Sequence, residues 1–137
     1  MKQTSFASLE YAGKKRRTRR EKFLGEMDKV VPWARLQALI EPHYPKSGKV
    51  GRPPIGVPRM LRMYFLQQWY TLSDEALEDA LYNGQALRSF ADIDLVVATV
   101  PDATTVLNFR HWLEEYDLTR TLFDEVHAML EERLAVE

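Results

Sequence analysis

Residues 57–70, VPRMLRMYFLQQWY, restrict the fold of this chain more than any other stretch. On a helical projection the segment is apolar almost all the way round, the pattern of a central buried helix. A helix with so little polar surface has to be enclosed by other elements, and the flanking sequence offers helices for that task. Phe23, Leu24, Met27, Val30 and Val31 follow one another at helical spacing, which predicts an amphipathic helix over residues 18–31. Pro32 suits a first helical position, and Trp33, Leu36, Leu39 and Ile40 give a short second helix that ends before Pro42.

Residues 41–56, EPHYPKSGKVGRPPIG, hold four prolines and three glycines and cannot form a regular element. Beyond the central helix, Ser73 or Thr71 can cap DEALEDALYN, which Asn83-Gly84 stops. QALRSFADI gives another short helical piece, and the irregular DLVVATVP leads to VPDATTVLNFRHWLEEY at residues 100–116. The chain closes with a helix on which Leu122, Val126, Met129 and Leu130 line one face. No alternating strand pattern of useful length occurs, with residues 95–100 as the one candidate. The expected fold is all-α, a multi-helix bundle with a helix-turn-helix-like part. Residues 1–22 are expected as a basic, flexible arm and residues 23–137 as the helical domain.

The chain's 137 residues suffice for one domain with its own core. The absence of cysteine excludes disulfides and thiolate metal sites. No apolar run reaches membrane-spanning length, since Arg62, Gln67 and Gln68 interrupt the longest one. The first residues are charged and lack the apolar segment of a signal peptide, so a soluble, cytoplasmic protein is expected, without membrane contact and without a cofactor.

A net charge of −1 conceals a strong internal asymmetry. Residues 1–62 hold 15 of the 19 lysines and arginines against 5 acids, whereas residues 63–137 hold 4 against 15. Such a division suggests that one part of the chain faces a polyanion. KKRRTRREK, residues 14–22, contributes Lys14, Lys15, Arg16, Arg17, Arg19, Arg20 and Lys22. A run of this kind is either a solvated tail or a phosphate-tracking surface. Its place beside a helix and near the basic positions 46, 49, 52, 59 and 62 suits the latter. GKVGRPP, residues 48–54, resembles the core of an AT-hook, with Lys49 nearby and Arg52 held extended by its prolines for a minor groove. Val50 stands where that motif has an arginine, and a plain connector is the simpler reading.

The helix opening at Asp102 raises a sharper question. Val106, Phe109, Leu113 and Tyr116 share one face, while Thr104, Asn108 and His111 lie opposite, with Arg110 on the flank. Solubilising faces are usually written in Glu and Lys. Asn pairs with the major-groove edge of adenine, and threonine offers a methyl for thymine and a hydroxyl for phosphate. Residues 103–116 are therefore a candidate reading helix, with Thr104, Thr105, Asn108 and His111 at bases and Arg110 at the backbone. The competing view is an ordinary surface helix that Thr104 and Thr105 help to cap. Enzymatic patterns are thinner. Asp92 and Asp94 form a D-x-D, the three histidines lack metal-ligand spacing, and no phosphate-binding glycine loop is present.

Four blocks, TRREKFLGEMDKVVPWARLQALIEPHYP, GRPP, MLRMYFLQQWYTLSDEALEDALY and PDATTVLNFRHWLEE, follow in order what resembles the N-terminal region of bacterial IS5-type insertion-sequence transposases. The resemblance runs from about Thr18 to Leu130. It implies a helical part that binds double-stranded DNA at transposon ends, followed in that family by a ribonuclease-H-like domain with a DDE acidic triad and divalent metal. The present chain stops at Glu137, about where that domain would begin. The expectation is a DNA-binding module without catalytic residues or bound metal, associated with the nucleoid, either an excised domain or a naturally short product that regulates transposition. A protein–protein module that forms a homodimer through residues 117–137 is the first rival, and a metal enzyme using Asp92 and Asp94 the second.

Overall fold

A computed structural model describes residues 17–44 and 55–136, with side chains through residue 132. Among them are seven α-helices and no strand. They are α1 (Arg19–Val30), α2 (Trp33–Ile40), α3 (Val57–Tyr70), α4 (Asp74–Asn83), α5 (Gln85–Ala91), α6 (Ala103–Glu115) and α7 (Leu118–Val136). A 3₁₀ turn, Glu41–His43, follows α2. The all-α expectation holds. Residues 95–100, the candidate strand, form a turn in which Val97 and Ala98 N–H donate to the Asp94 carbonyl, followed by an irregular run.

The central position of α3 follows from its sequence. Met60, Leu61, Met63, Tyr64, Phe65 and Leu66 are all buried, on every side of the helix axis. α2, α4, α5 and α6 each pack directly on it, and α7 closes over α2 and α6. Trp33 and Trp69 set their rings edge-on or tilted against Phe65 at centroid distances of 5.5 and 5.4 Å, and both meet Phe90 of α5 at 5.7 Å. These aromatic contacts tie α2 to α3 and α5 in the middle of the chain.

Local chemistry decides where most helices begin and end. Thr18 and Glu21 form a reciprocal capping box, each side chain accepting from the other's backbone N–H. α1 consequently starts at Arg19, within the helix expected over residues 18–31, and Arg19, Arg20 and Lys22 sit on its first turn. Ser73 caps α4 by accepting from Ala76 N–H. Thr71 and Asp92 end α3 and α5 in the left-handed region, at φ 52 and 61.

Arg59 and Arg62 depart from the expected phosphate-facing cluster. They lie one turn apart on α3 and reach the end of α5, where they donate to the carbonyls of Asp92 and Phe90 at 3.0 and 3.1 Å. Carbonyls at a helix C-terminus are unsatisfied and partly negative, which suits them to guanidinium donors. Arg62 also pairs with Asp28 at 2.6 Å and lies over the Trp33 and Phe90 rings. Both arginines thus take part in the packing of α3 against α5.

The enclosed position of α3 predicts a steep contrast. Phe65→Ala should cost about 3–5 kcal/mol of unfolding free energy in urea titrations. Tyr82→Ala, at a half-exposed ring on α4, should stay within about 0.5 kcal/mol of the parent.

Candidate nucleic-acid interface

Two carboxylates build the start of α6. Asp102 accepts from both the backbone N–H and the hydroxyl of Thr105, each at 2.8 Å. Glu78, reaching across from α4, accepts from Ala103 N–H at 2.9 Å. Val106, Phe109 and Leu113 then point into the core, which leaves Thr104, Asn108 and His111 exposed on the opposite side. That is the face the spacing predicts. Thr105, expected with them, is half-buried and has its hydroxyl in the cap. Tyr116 leaves the apolar face and stands exposed past the end of the helix, 5.1 Å from the His43 ring.

Arg110 has a structural partner. Its Nε and Nη2 donate to the two carboxylate oxygens of Asp74, at 3.0 and 2.8 Å, in the fork geometry natural to guanidinium and carboxylate. Asp74 Oδ1 also accepts from Gln67 Nε2 at 2.7 Å. Three helices, α3, α4 and α6, are therefore joined by one polar chain. Arg110 holds the Asp74 carboxyl below its ordinary value, against the opposing effect of burial, and the same bond raises Arg110. The positive form of His111, next along α6, acts on Asp74 in the same direction.

Of the basic run, Arg17, Arg19, Arg20 and Lys22 are described, and all are exposed. The Arg20 guanidinium lies 4.6 Å from the centre of the Tyr70 ring, and Phe23 meets Trp69 and Tyr70 edge-on. Lys14, Lys15, Arg16, Lys49 and Arg52 lie outside the described residues. The first turn of α1 and the middle of α6 accordingly converge on residues 70–74: Arg20 on Tyr70, Arg110 on Asp74. Residues far apart in sequence are brought to one end of α3.

The charges around α6 are uneven. Glu78 and Asp102 stand at its start, and Glu114 and Glu115 are exposed at its end. The face between them is polar and without a carboxylate. The nearest basic group on α6 itself, Arg110, is paired with Asp74, and the exposed basic side chains of α1 begin at the same end of α3. The connection from α5 to α6, residues 92–102, is longer than the three or four residues of a helix-turn-helix turn. The short turn is instead at residues 71–73, between α3 and α4.

Asp92 and Asp94 shape the chain after α5. Asp92 ends α5 in the left-handed region, and Asp94 accepts from Val96 N–H to shape the turn that follows. Among the described residues no three His, Asp or Glu side chains are grouped so as to hold a metal ion. No helix among them is long and apolar enough to cross a membrane.

A family model described as a transposase domain (DUF772) matches residues 12–112, from just before the basic run to Trp112 of α6. No solved structure matches the chain. The match covers most of the sequence, and the chain belongs to that family.

The Gln67–Asp74–Arg110 chain predicts an acid-sensitive fold. The folded pKa of Asp74 lies below its unfolded value, so its contribution is full above about pH 4 and is lost as pH falls through the folded value. Asp74→Asn should flatten the acid limb of a melting-temperature profile. Asp74→Ala should cost about 2–3 kcal/mol at neutral pH, because it leaves Arg110 and Gln67 without their acceptor. An unchanged acid limb in Asp74→Asn would remove this pair from the account.

Proposed function

We propose that this member of the transposase domain family is the DNA-binding part of an IS5-type transposase and recognises the ends of its element. The observation that carries the reading is the convergence at residues 70–74. An exposed basic helix start, Arg17, Arg19, Arg20 and Lys22, and a helix whose outer face presents Thr104, Asn108 and His111 are both tied to this one end of α3. Backbone contacts position a protein on a duplex, whereas donors and acceptors at base edges give it sequence preference. This arrangement supplies one set from α1 and the other from α6. The family match supports the same assignment, since it includes both helices and leaves α7 outside.

The roles divide as follows. Asn108 is the base-reading side chain, able to pair with adenine through two hydrogen bonds, with Thr104 and His111 on either side of it. Arg19, Arg20 and Lys22, continued by Lys14, Lys15, Arg16 and Arg17, neutralise phosphates. Lys49 and Arg52, on the segment between the 3₁₀ turn and α3, add contacts in a neighbouring groove. Arg110 holds α6 against α4 through Asp74 and sets the angle at which the reading face is presented. Cleavage and strand transfer belong to other residues than these. Asp92 and Asp94 are occupied in shaping the end of α5 and its following turn.

Competition binding on element-end and random duplexes, at one stated salt, tests this reading. Asn108→Ala should cost on the order of 1–3 kcal/mol on the element end and much less on random DNA. Arg19→Ala/Lys22→Ala should weaken both duplexes alike. It should also lower the salt slope by about 0.9 log units for each phosphate that is no longer neutralised. A normally folded Asn108→Ala that keeps its preference would remove α6 as the reading element.

The non-catalytic assignment has its own test. With Mg²⁺ or Mn²⁺, the 137-residue chain should neither nick nor join element-end DNA. Strand transfer by this chain that is abolished in Asp92→Asn would overturn it.

A further inference from the structure

At the start of α1 a group of aromatic rings lies open to solvent. Phe23 is 39% exposed and meets the partly exposed rings of Trp69 and Tyr70 at centroid distances of 5.3 and 6.2 Å. Both contacts are edge-on, with interplanar angles of 86° and 76°, so Phe23 stands across the two rings rather than stacking on them. The core contacts of α1 are made by Leu24 and Met27, and Phe23 takes no part in them. A large ring that the fold leaves uncovered, beside two others that are only partly covered, is the mark of an interaction site.

The charge around these rings is positive. Arg19 and Arg20 lie one turn before Phe23 on the same side of α1, and Lys22 adjoins it. Arg17, Arg19, Arg20 and Lys22 are all exposed, and Arg19 and Lys22 hold no ion pair among the described residues. Arg20 lies over the Tyr70 ring at 4.6 Å, and a guanidinium stacked in this way keeps its N–H donors at its edge. Of the three acids of α1, Glu21 is bound into the helix cap and Asp28 to Arg62, which leaves Glu26 exposed against these cations.

An occupant that satisfies both features is anionic and carries a flat aromatic face. A paired duplex supplies the charge, but its base faces are covered by their neighbours in the stack. An unpaired nucleotide offers a base face to the rings and phosphates to the cations at once. Resting on the DNA-binding reading above, we propose that Phe23, Trp69 and Tyr70 form a stacking site for an unpaired base of the bound DNA, whose phosphates are held by Arg19 and Lys22. The family match favours nucleic acid over an acidic protein segment here, because it includes both helices that carry the site. Stacking is tolerant of sequence, since every base has a π-face. The site therefore selects DNA whose strands are parted, whereas Asn108 selects sequence.

The test compares two random-sequence duplexes at one stated salt, one fully paired and one with a short unpaired adenine bulge carrying a fluorescent adenine analogue. The full chain should bind the bulged duplex at least about fivefold more tightly, and the analogue's emission should fall as its base stacks. Phe23→Leu, which keeps the apolar bulk without a ring, should bring the ratio of affinities close to one. Phe23→Tyr, which restores the ring, should keep the preference. Circular dichroism should show both variants folded, since Phe23 stands outside the core. Arg19→Ala/Lys22→Ala should weaken binding to both duplexes. A parent chain that binds the two duplexes equally, or a Phe23→Leu variant that prefers the bulge as the parent does, would overturn the proposal. Self-association of the DNA-free chain that is lost in Phe23→Leu, read by sedimentation velocity, would assign the rings to a second copy and overturn it as well. Both duplexes are random in sequence, so failure here leaves the element-end reading by α6 standing, and failure of that reading leaves this site standing.

Discussion

The helix at residues 57–70 is buried on most of its surface, with Pro58 and Gln68 as its exposed positions, and the rest of the fold is arranged around that fact. Four helices lie directly on it, and α7 seals the gap between α2 and α6. Three of its polar side chains turn to neighbouring elements. Arg59 and Arg62 donate to the end of α5, and Gln67 donates to Asp74 at the start of α4. A buried polar group is costly unless it is bonded, so each of these groups fixes the position of the helix it meets. The geometry of the candidate interface descends from this arrangement: Asp74, placed by Gln67, in turn places Arg110 and with it the whole of α6.

The fold separates functions that the linear sequence mixes. Positive charge is concentrated early in the chain, yet Arg59 and Arg62 are drawn into the core packing, while Arg17, Arg19, Arg20 and Lys22 remain at the surface. Negative charge is concentrated late, and much of it has a local structural task. Asp102 and Glu78 cap α6, Asp74 holds Arg110, and Asp94 folds a turn. What remains on the outer side of α6 is the strip Thr104, Asn108 and His111, between carboxylates. On the proposed reading, long-range attraction to a polyanion comes from α1 and discrimination from α6.

The sequence reveals those parts of the fold that depend on neighbours within a turn or two. The helix boundaries set by Thr18, Ser73 and Asp102 are of this kind, as are the buried Val106, Phe109 and Leu113 and the exposed Thr104, Asn108 and His111. Contacts between distant residues were not legible. Arg110 meets an aspartate 36 residues away and Arg59 a carbonyl 33 away, so spacing alone assigned them to a phosphate surface. Glu78 capping α6 was hidden for the same reason, being 25 residues from the helix it serves. Tyr116 follows the apolar period but falls beyond the last turn, where periodicity no longer sets direction. The Leu95–Val97 stretch reads as a strand by composition. Asp94 makes it a turn.

The central claim is that α1 and α6 form one DNA-facing surface across residues 70–74. Backbone amide chemical shifts of the full chain, followed by NMR as an element-end duplex is added, test it most directly. The account predicts that the largest shifts fall together on residues 17–22 and on Thr104, Asn108 and His111, with Leu95–Val97 little changed. Shifts on residues 17–22 with none on α6 would contradict it, as would shifts centred on the Leu95–Val97 turn or on α7.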